Sequence, residues 1–142
     1  MAERSATAEW KGGLKDGNGE MSLGSGAFEG SFSFGTRMED EKGTNPEELI
    51  GAALAGCFSM ALAATLGKEG LTVKEIDTST KVEFGKEGDG FAIKFINLET
   101  KADVDGIDEA KFQEIAEKVK ETCPVAKALA AVQINLKASL AK

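Results

Sequence analysis

Two cysteines carry most of the chemistry available to this chain. Cys57 sits inside the apolar run NPEELIGAALAGCFSMALAATLG, between Gly56 and Phe58, and Cys123 follows 66 positions later, directly before Pro124. A thiol attacks only as its thiolate, and desolvation among Ala, Leu and Phe disfavours that charge. No Lys, Arg or His flanks Cys57 in sequence, and its depth in the run takes it away from a helix N-terminal dipole. Reactivity therefore requires a cation delivered by the fold. Arg37, in the charged stretch TRMEDEKGT ahead of the run, is the candidate, because a guanidinium stays charged when partly buried. Glu47 could hold it through a bidentate pair. Each of these residues also has a plain structural reading. A cysteine in an apolar helix is more often a small core residue than a nucleophile. Cys123 before a proline could be core and cap, Arg37 a solvated charge, and Glu47 a complement to the helix dipole. The residues by themselves leave both readings open.

The chain contains neither histidine nor tyrosine. That excludes a Ser-His-Asp or Cys-His arrangement within one chain, and two cysteines alone do not make a tetrahedral zinc site. No cofactor and no metal are expected. Two widely spaced cysteines are not the dense pattern of a disulfide-stapled secreted domain, and in a reducing cytosol such a pair points to catalysis or redox chemistry. The net charge is −7 with no long Lys or Arg run, so nucleic acid is not an expected partner. The N-terminal MAERSATAEWKGG is polar and lacks the apolar segment of a secretory signal, which predicts a cytoplasmic location. At 142 residues and 42% hydrophobic content, a single domain over 1–142 is expected.

The elements that must position these groups are partly legible. SATAEW, GEMSLG and GAFEGSFSFG, with Phe28, Phe32 and Phe34 in partial period-two spacing, read as an antiparallel meander broken by glycine. Asp16-Gly17 marks a hairpin, and TRMEDEKGT reads as an exposed loop. Asn45 as cap, Pro46 at the first helical position and Glu48 three residues after the cap predict a helix from Pro46 to about Leu66, stopped at Gly67. Leu49 to Leu66 is uncharged and reaches the lower edge of membrane-spanning length. Its many alanines and glycines, the missing aromatic and basic belts and the two glutamates before it favour a helix buried within protein over a membrane span. Such a helix needs cover on every side, which predicts a tight dimer. TVKEIDTSTKVEF is a strand with Ile76, Val82 and Phe84 on one face. In FAIKFINLETKADV the apolar parity switches after Phe95, predicting a β-bulge there, and KEGDG joins the two strands. Phe112, Ile115, Ala116, Val119 and Cys123 share one face of an amphipathic helix. Pro124 ends it and opens a second short helix, before a final strand in VQINLKASL. The sum is an α+β architecture with helices on antiparallel sheets.

FGTRMEDEKGTNPEELIGAALAGCFSMAL, together with TAEWKG and DGIDEAKFQEIAEKVKETCPVAKAL, resembles the OsmC/Ohr family of peroxidases, and within it the osmotically inducible OsmC branch. The resemblance covers essentially the whole chain. NPEEL followed by a cysteine ten residues after its first glutamate, with a distant Cys-Pro, is a specific combination. It implies an OsmC-like fold, antiparallel sheets packed around a long buried central helix, in an intertwined homodimer. It also implies reduction of organic hydroperoxides and hydrogen peroxide in oxidative and osmotic stress defence. By that resemblance Cys57 is the attacking cysteine, Cys123 the resolving one, Arg37 the thiolate-stabilising arginine and Glu47 its partner. In the Ohr branch the arginine lies nearer the N-terminus, where this sequence has only Arg4, so Arg37 follows the OsmC branch. A Cys57 sulfenic acid would condense with Cys123 to a disulfide, and a cellular dithiol, lipoyl-type groups among the candidates, would restore both thiols. A different class of function on the same fold is a non-enzymatic redox sensor or binder of a small apolar ligand.

Overall fold

A computed structural model describes residues 2–141. They fall into two compact units, one through Leu49 and one from Ile50 onward.

The first unit is the expected antiparallel meander, β1 (Ala6–Lys11), β2 (Asn18–Leu23) and β3 (Glu29–Phe32), in that spatial order. Gly12 takes φ +95, a value that favours glycine, and Asp16 closes the first turn by accepting from the Gly13 N–H at 3.1 Å. The structure departs from the sequence reading at the next element. Phe34–Met38 is a short helix, α1, so Phe34 leaves the strand and Arg37 stands on a helical turn instead of in a loop. A capping box causes this. Ser33 Oγ accepts from the Thr36 N–H at 3.3 Å, and Thr36 Oγ1 accepts from the Ser33 N–H at 2.9 Å. These reciprocal bonds satisfy donors that a helix start would otherwise orphan. The loop reading holds for the exposed residues 39–43. Asn45 then does two things: its Nδ2 donates to the Thr36 carbonyl at 3.1 Å, and its Oδ1 accepts from the Glu48 N–H at 2.8 Å. The second bond caps α2 (Pro46–Lys68) as the sequence predicts.

The second unit holds most of α2, then β4 (Thr72–Glu87), β5 (Gly90–Asp105), α3 (Glu109–Thr122), α4 (Pro124–Ala128) and β6 (Gln133–Leu140). β4 and β5 pair antiparallel across the turn at Gly88 and Asp89. Glu83 pairs with Phe95 but Phe84 with Ile93. Lys94 is thus the extra residue of a bulge, which accounts for the parity switch beside Phe95. β6 runs parallel to β5, so this sheet is mixed where an antiparallel one is expected. Alternation of side chains is the same in either direction, so periodicity is blind to it. The parallel partner requires a long crossover, which α3 and α4 supply.

α2 lays Leu54, Phe58, Leu62 and Leu66, all fully buried, into the core with Ile96, Leu98 and Ala102 of β5 and Phe112, Ala116 and Val119 of α3. Each of the Leu, Ile, Val and Phe side chains among them contributes about 1.5–3 kcal/mol. Gly51 permits close approach to β4: a Cβ there would stand 2.5 Å from Thr80 Oγ1. Farther along, Ser59 Oγ donates to Thr78 Oγ1 at 2.7 Å, and Thr78 Oγ1 lies 2.9 Å from Thr100 Oγ1. The expectation of a helix buried on all sides is met along one face only. Ala52, Ala53, Gly56, Met60 and Ala64 are exposed, Met60 by 76%. An 18-residue window of α2 has a mean hydropathy of 2.0, so the helix is long and apolar enough to cross a membrane by length and composition.

Candidate active site

Cys57 is carried by α2 beside the buried Phe58, which places it half-buried at the edge of the core. Cys123 arrives from the other end of the chain by a backbone device. Proline disfavours helical geometry in the residue before it, and Cys123 accordingly has ψ 129 between α3 and α4. The chain turns there, and the thiol stays fully buried with the apolar face of α3. The two sulfurs lie 2.9 Å apart, with Cys123 Sγ as donor and Cys57 Sγ as acceptor. Both cysteines are free thiols. A disulfide requires about 2.05 Å, so the bond is a sub-ångström to one-ångström adjustment away. Burial pushes the Cys123 thiol above the usual 9.0, and its hydrogen bond to Cys57 adds to the effect. The amides of Ala126 and Val125 at the start of α4 act in the opposite sense and offset it only in part.

In the first unit, Arg37 and Glu47 form the bidentate pair the sequence suggests. Nη2 donates to Glu47 Oε2 at 2.8 Å, and Nε donates to Oε1 at 3.1 Å. The Glu47 side chain is buried, whereas that of Arg37 is 39% exposed. The carboxylate therefore fixes the guanidinium while leaving part of it at the surface. Beside Arg37 opens a cleft of about 250 Å³ lined by Trp10, Leu14, Phe32, Phe34 and Met38. The Trp10 and Phe32 rings meet with centroids 5.3 Å apart. An apolar cleft with a cation at its wall suits a ligand with a hydrocarbon body and a polar end. Sequence reasoning did not assemble this cleft. The available signal was a thin glycine-rich meander carrying more aromatic residues than three short strands can cover.

Residues 39–137 match the family described as OsmC-like protein. Peroxiredoxin OsmC of Escherichia coli (strain K12) is 49% identical over 125 residues, 87% of each chain. The organic hydroperoxide resistance protein of Xanthomonas axonopodis pv. citri (strain 306) is 33% identical over 87 residues, 61% of this chain and 59% of that one. Among solved structures, an organic hydroperoxide resistance protein from Elizabethkingia anophelis superimposes with a TM-score of 0.76 at 24% identity, covering 100% of this chain and 97% of the other. That likeness establishes a shared fold, α+β with two small sheets and helices. On the span of the family match and the identity to the Escherichia coli protein, the chain belongs to the OsmC-like family.

Proposed function

We propose that the chain is a thiol-dependent peroxidase that reduces organic hydroperoxides, and hydrogen peroxide, in the cytoplasm as part of oxidative and osmotic stress defence. The observation that carries this reading is the 2.9 Å approach of Cys57 and Cys123 sulfurs from opposite ends of one unit, since structural packing alone does not require two thiols in bonding range. Cys57 is the more accessible sulfur and accepts the hydrogen bond, which suits it to attack. Its thiolate attacks the terminal peroxide oxygen, the O–O bond breaks, and the alkoxide takes a proton from solvent to leave as alcohol. Sulfur has lost two electrons and is now a sulfenic acid. Cys123 then attacks that sulfur, its thiol proton and the sulfenic hydroxyl leave as water, and a Cys57–Cys123 disulfide results. A cellular dithiol, lipoyl-type groups among the candidates, reduces the disulfide by exchange.

Arg37 is assigned the stabilisation of the Cys57 thiolate and Glu47 the holding of Arg37, as the family resemblance implies. The apolar surroundings of Cys57 favour hydroperoxides with a hydrocarbon body, and the cleft beside Arg37 in the first unit suits an apolar ligand in its own right. The uncovered apolar face of α2 supports a homodimer in which a second copy covers it. The same cleft would serve a non-enzymatic binder of a small apolar ligand, and turnover separates the two. Purified protein with cumene hydroperoxide and a dithiol should consume peroxide catalytically, and Cys57→Ser should abolish consumption with the fold retained. Consumption by Cys57→Ser near the wild-type level would place the chemistry elsewhere. Absence of any wild-type turnover would favour the binder.

A further inference from the structure

We propose that Cys123, besides closing the disulfide, is a hydrogen-bond donor to the attacking sulfur of Cys57 while peroxide is being reduced. The inference rests on the peroxidase reading and adds an earlier role for the second thiol. A thiolate at the edge of an apolar core has lost much of its water and needs donors from the protein. Helical neighbours three and four positions away from Cys57 are Ala53, Leu54, Met60 and Ala61, none of which has a side-chain donor. The chain has no histidine or tyrosine to approach from elsewhere, and the nearby Ser59 hydroxyl donates to Thr78, so the Cys123 thiol is a donor additional to the Arg37 guanidinium assigned above. Cys123 Sγ, at 2.9 Å, points its proton at Cys57 Sγ. Its complete burial keeps that proton from exchanging the partner for water.

The step balances without spending the Cys123 proton. Cys57 thiolate, hydroperoxide and one solvent proton give Cys57 sulfenic acid and alcohol, while Cys123 remains a thiol throughout. Its proton departs only later, in the water released as the S–S bond forms. The second thiol therefore stabilises the charge first and removes the product afterwards. A donor required only for the later step would leave the first step untouched when deleted.

The test compares Cys123→Ser, which retains an O–H donor, with Cys123→Ala, which retains none. Neither variant can form the disulfide, so the first step is isolated in both. Single-turnover reaction with cumene hydroperoxide, followed by trapping of the Cys57 sulfenic acid with dimedone, should run within about threefold of wild type for serine. It should run about tenfold slower for alanine, the scale of losing a hydrogen bond to a charged group. Alkylation of Cys57 by iodoacetamide, which needs no peroxide, should show the same order. Equal rates in the two variants, or serine slower than alanine as a pure packing role would give, would overturn the proposal. If alanine unfolds the chain through the cavity it leaves, Cys123→Val supplies the donor-free comparison. Alkylation also separates the two ideas: a variant order seen with iodoacetamide but no sulfenic acid from peroxide would sink the peroxidase reading and leave the donor role standing.

Discussion

At the scale of single residues, burial orders the two thiols. Cys123 is sealed in the core and pushed above 9.0, chiefly by desolvation and next by its bond to Cys57. This raises a consequence for stability in the reduced protein. A group whose proton is held more tightly in the folded than in the unfolded chain stabilises the fold fully below its unfolded value, and that contribution is lost as pH rises through the folded value. Reduced protein should therefore lose stability through this thiol once pH passes about 9, as the unfolded chain ionises it first. Urea unfolding at pH 8 and pH 10 measures it. The stability of reduced wild type should fall more steeply than that of Cys123→Ala, in which the same lysines titrate but this thiol is absent. Parallel slopes would mean that Cys123 is as easily ionised folded as unfolded. Cys57, Cys123, Arg37 and Glu47 stand out in the sequence because each carries rare chemistry at a marked place, and the structure pairs Cys57 with Cys123 and Arg37 with Glu47. The aromatic cleft was not, since Trp10, Leu14, Phe32 and Phe34 have no signature beyond hydrophobicity and are joined only by folding.

At the scale of elements, the rotation of α2 about its axis decides whether the sulfurs meet. Cys57 and Ser59 flank Phe58, about 200° apart on a helix of 3.6 residues per turn, so turning the helix moves them in opposite directions relative to the core. Ser59 is anchored through Thr78 to Thr100, a fully buried hydroxyl. With side chains about 5–6 Å from the axis, a 10° rotation shifts the sulfur by about 1 Å, the amount that separates contact from bond. Thr78→Val removes the central hydroxyl at nearly constant volume and leaves two others short of a partner, at a cost of about 1–3 kcal/mol. Disulfide formation after one equivalent of peroxide should slow about tenfold or more, since a 1 Å misplacement can cost up to about 100-fold. A variant that is less stable yet closes its disulfide at the wild-type rate would confine the hydroxyl chain to holding the sheet together. The same contrast explains what sequence reading reaches. The α2 start at Asn45, the bulge at Lys94 and the break at Pro124 are written in local chemistry. The α1 turn was hidden because Ser33 and Thr36 sit against a charge-rich stretch that reads as solvated. The hydroxyl chain and the parallel direction of β6 join residues distant in sequence, and no periodicity records such a pairing.

At the scale of the whole molecule, the chain has more apolar helix than it can cover. One stripe of α2 is consumed by the core, while Ala52, Ala53, Gly56, Met60 and Ala64 face outward. Alanine and glycine on that face permit a second helix to approach closely, and Met60, long and pliable, fills the irregular space that such an approach leaves. Glu47 and Glu48 in the first turn and Lys68 in the last are charges at its two ends, which suits a helix lodged between protein surfaces. Met60→Glu distinguishes a covered face from a free one. On a face open to water, exchange of a 76% exposed methionine for glutamate should alter stability by less than about 0.5 kcal/mol. On a face covered by the same face of a second copy, two carboxylates would be brought together in an apolar seam, and burying an unpaired charge costs far more than that. Wild type should therefore sediment as a dimer at micromolar concentration, with a melting temperature that rises with concentration. Met60→Glu should sediment as a monomer whose melting temperature does not. A wild-type chain that is monomeric under these conditions, or a Met60→Glu variant that remains dimeric with unchanged melting, would show that this face is not where two copies meet.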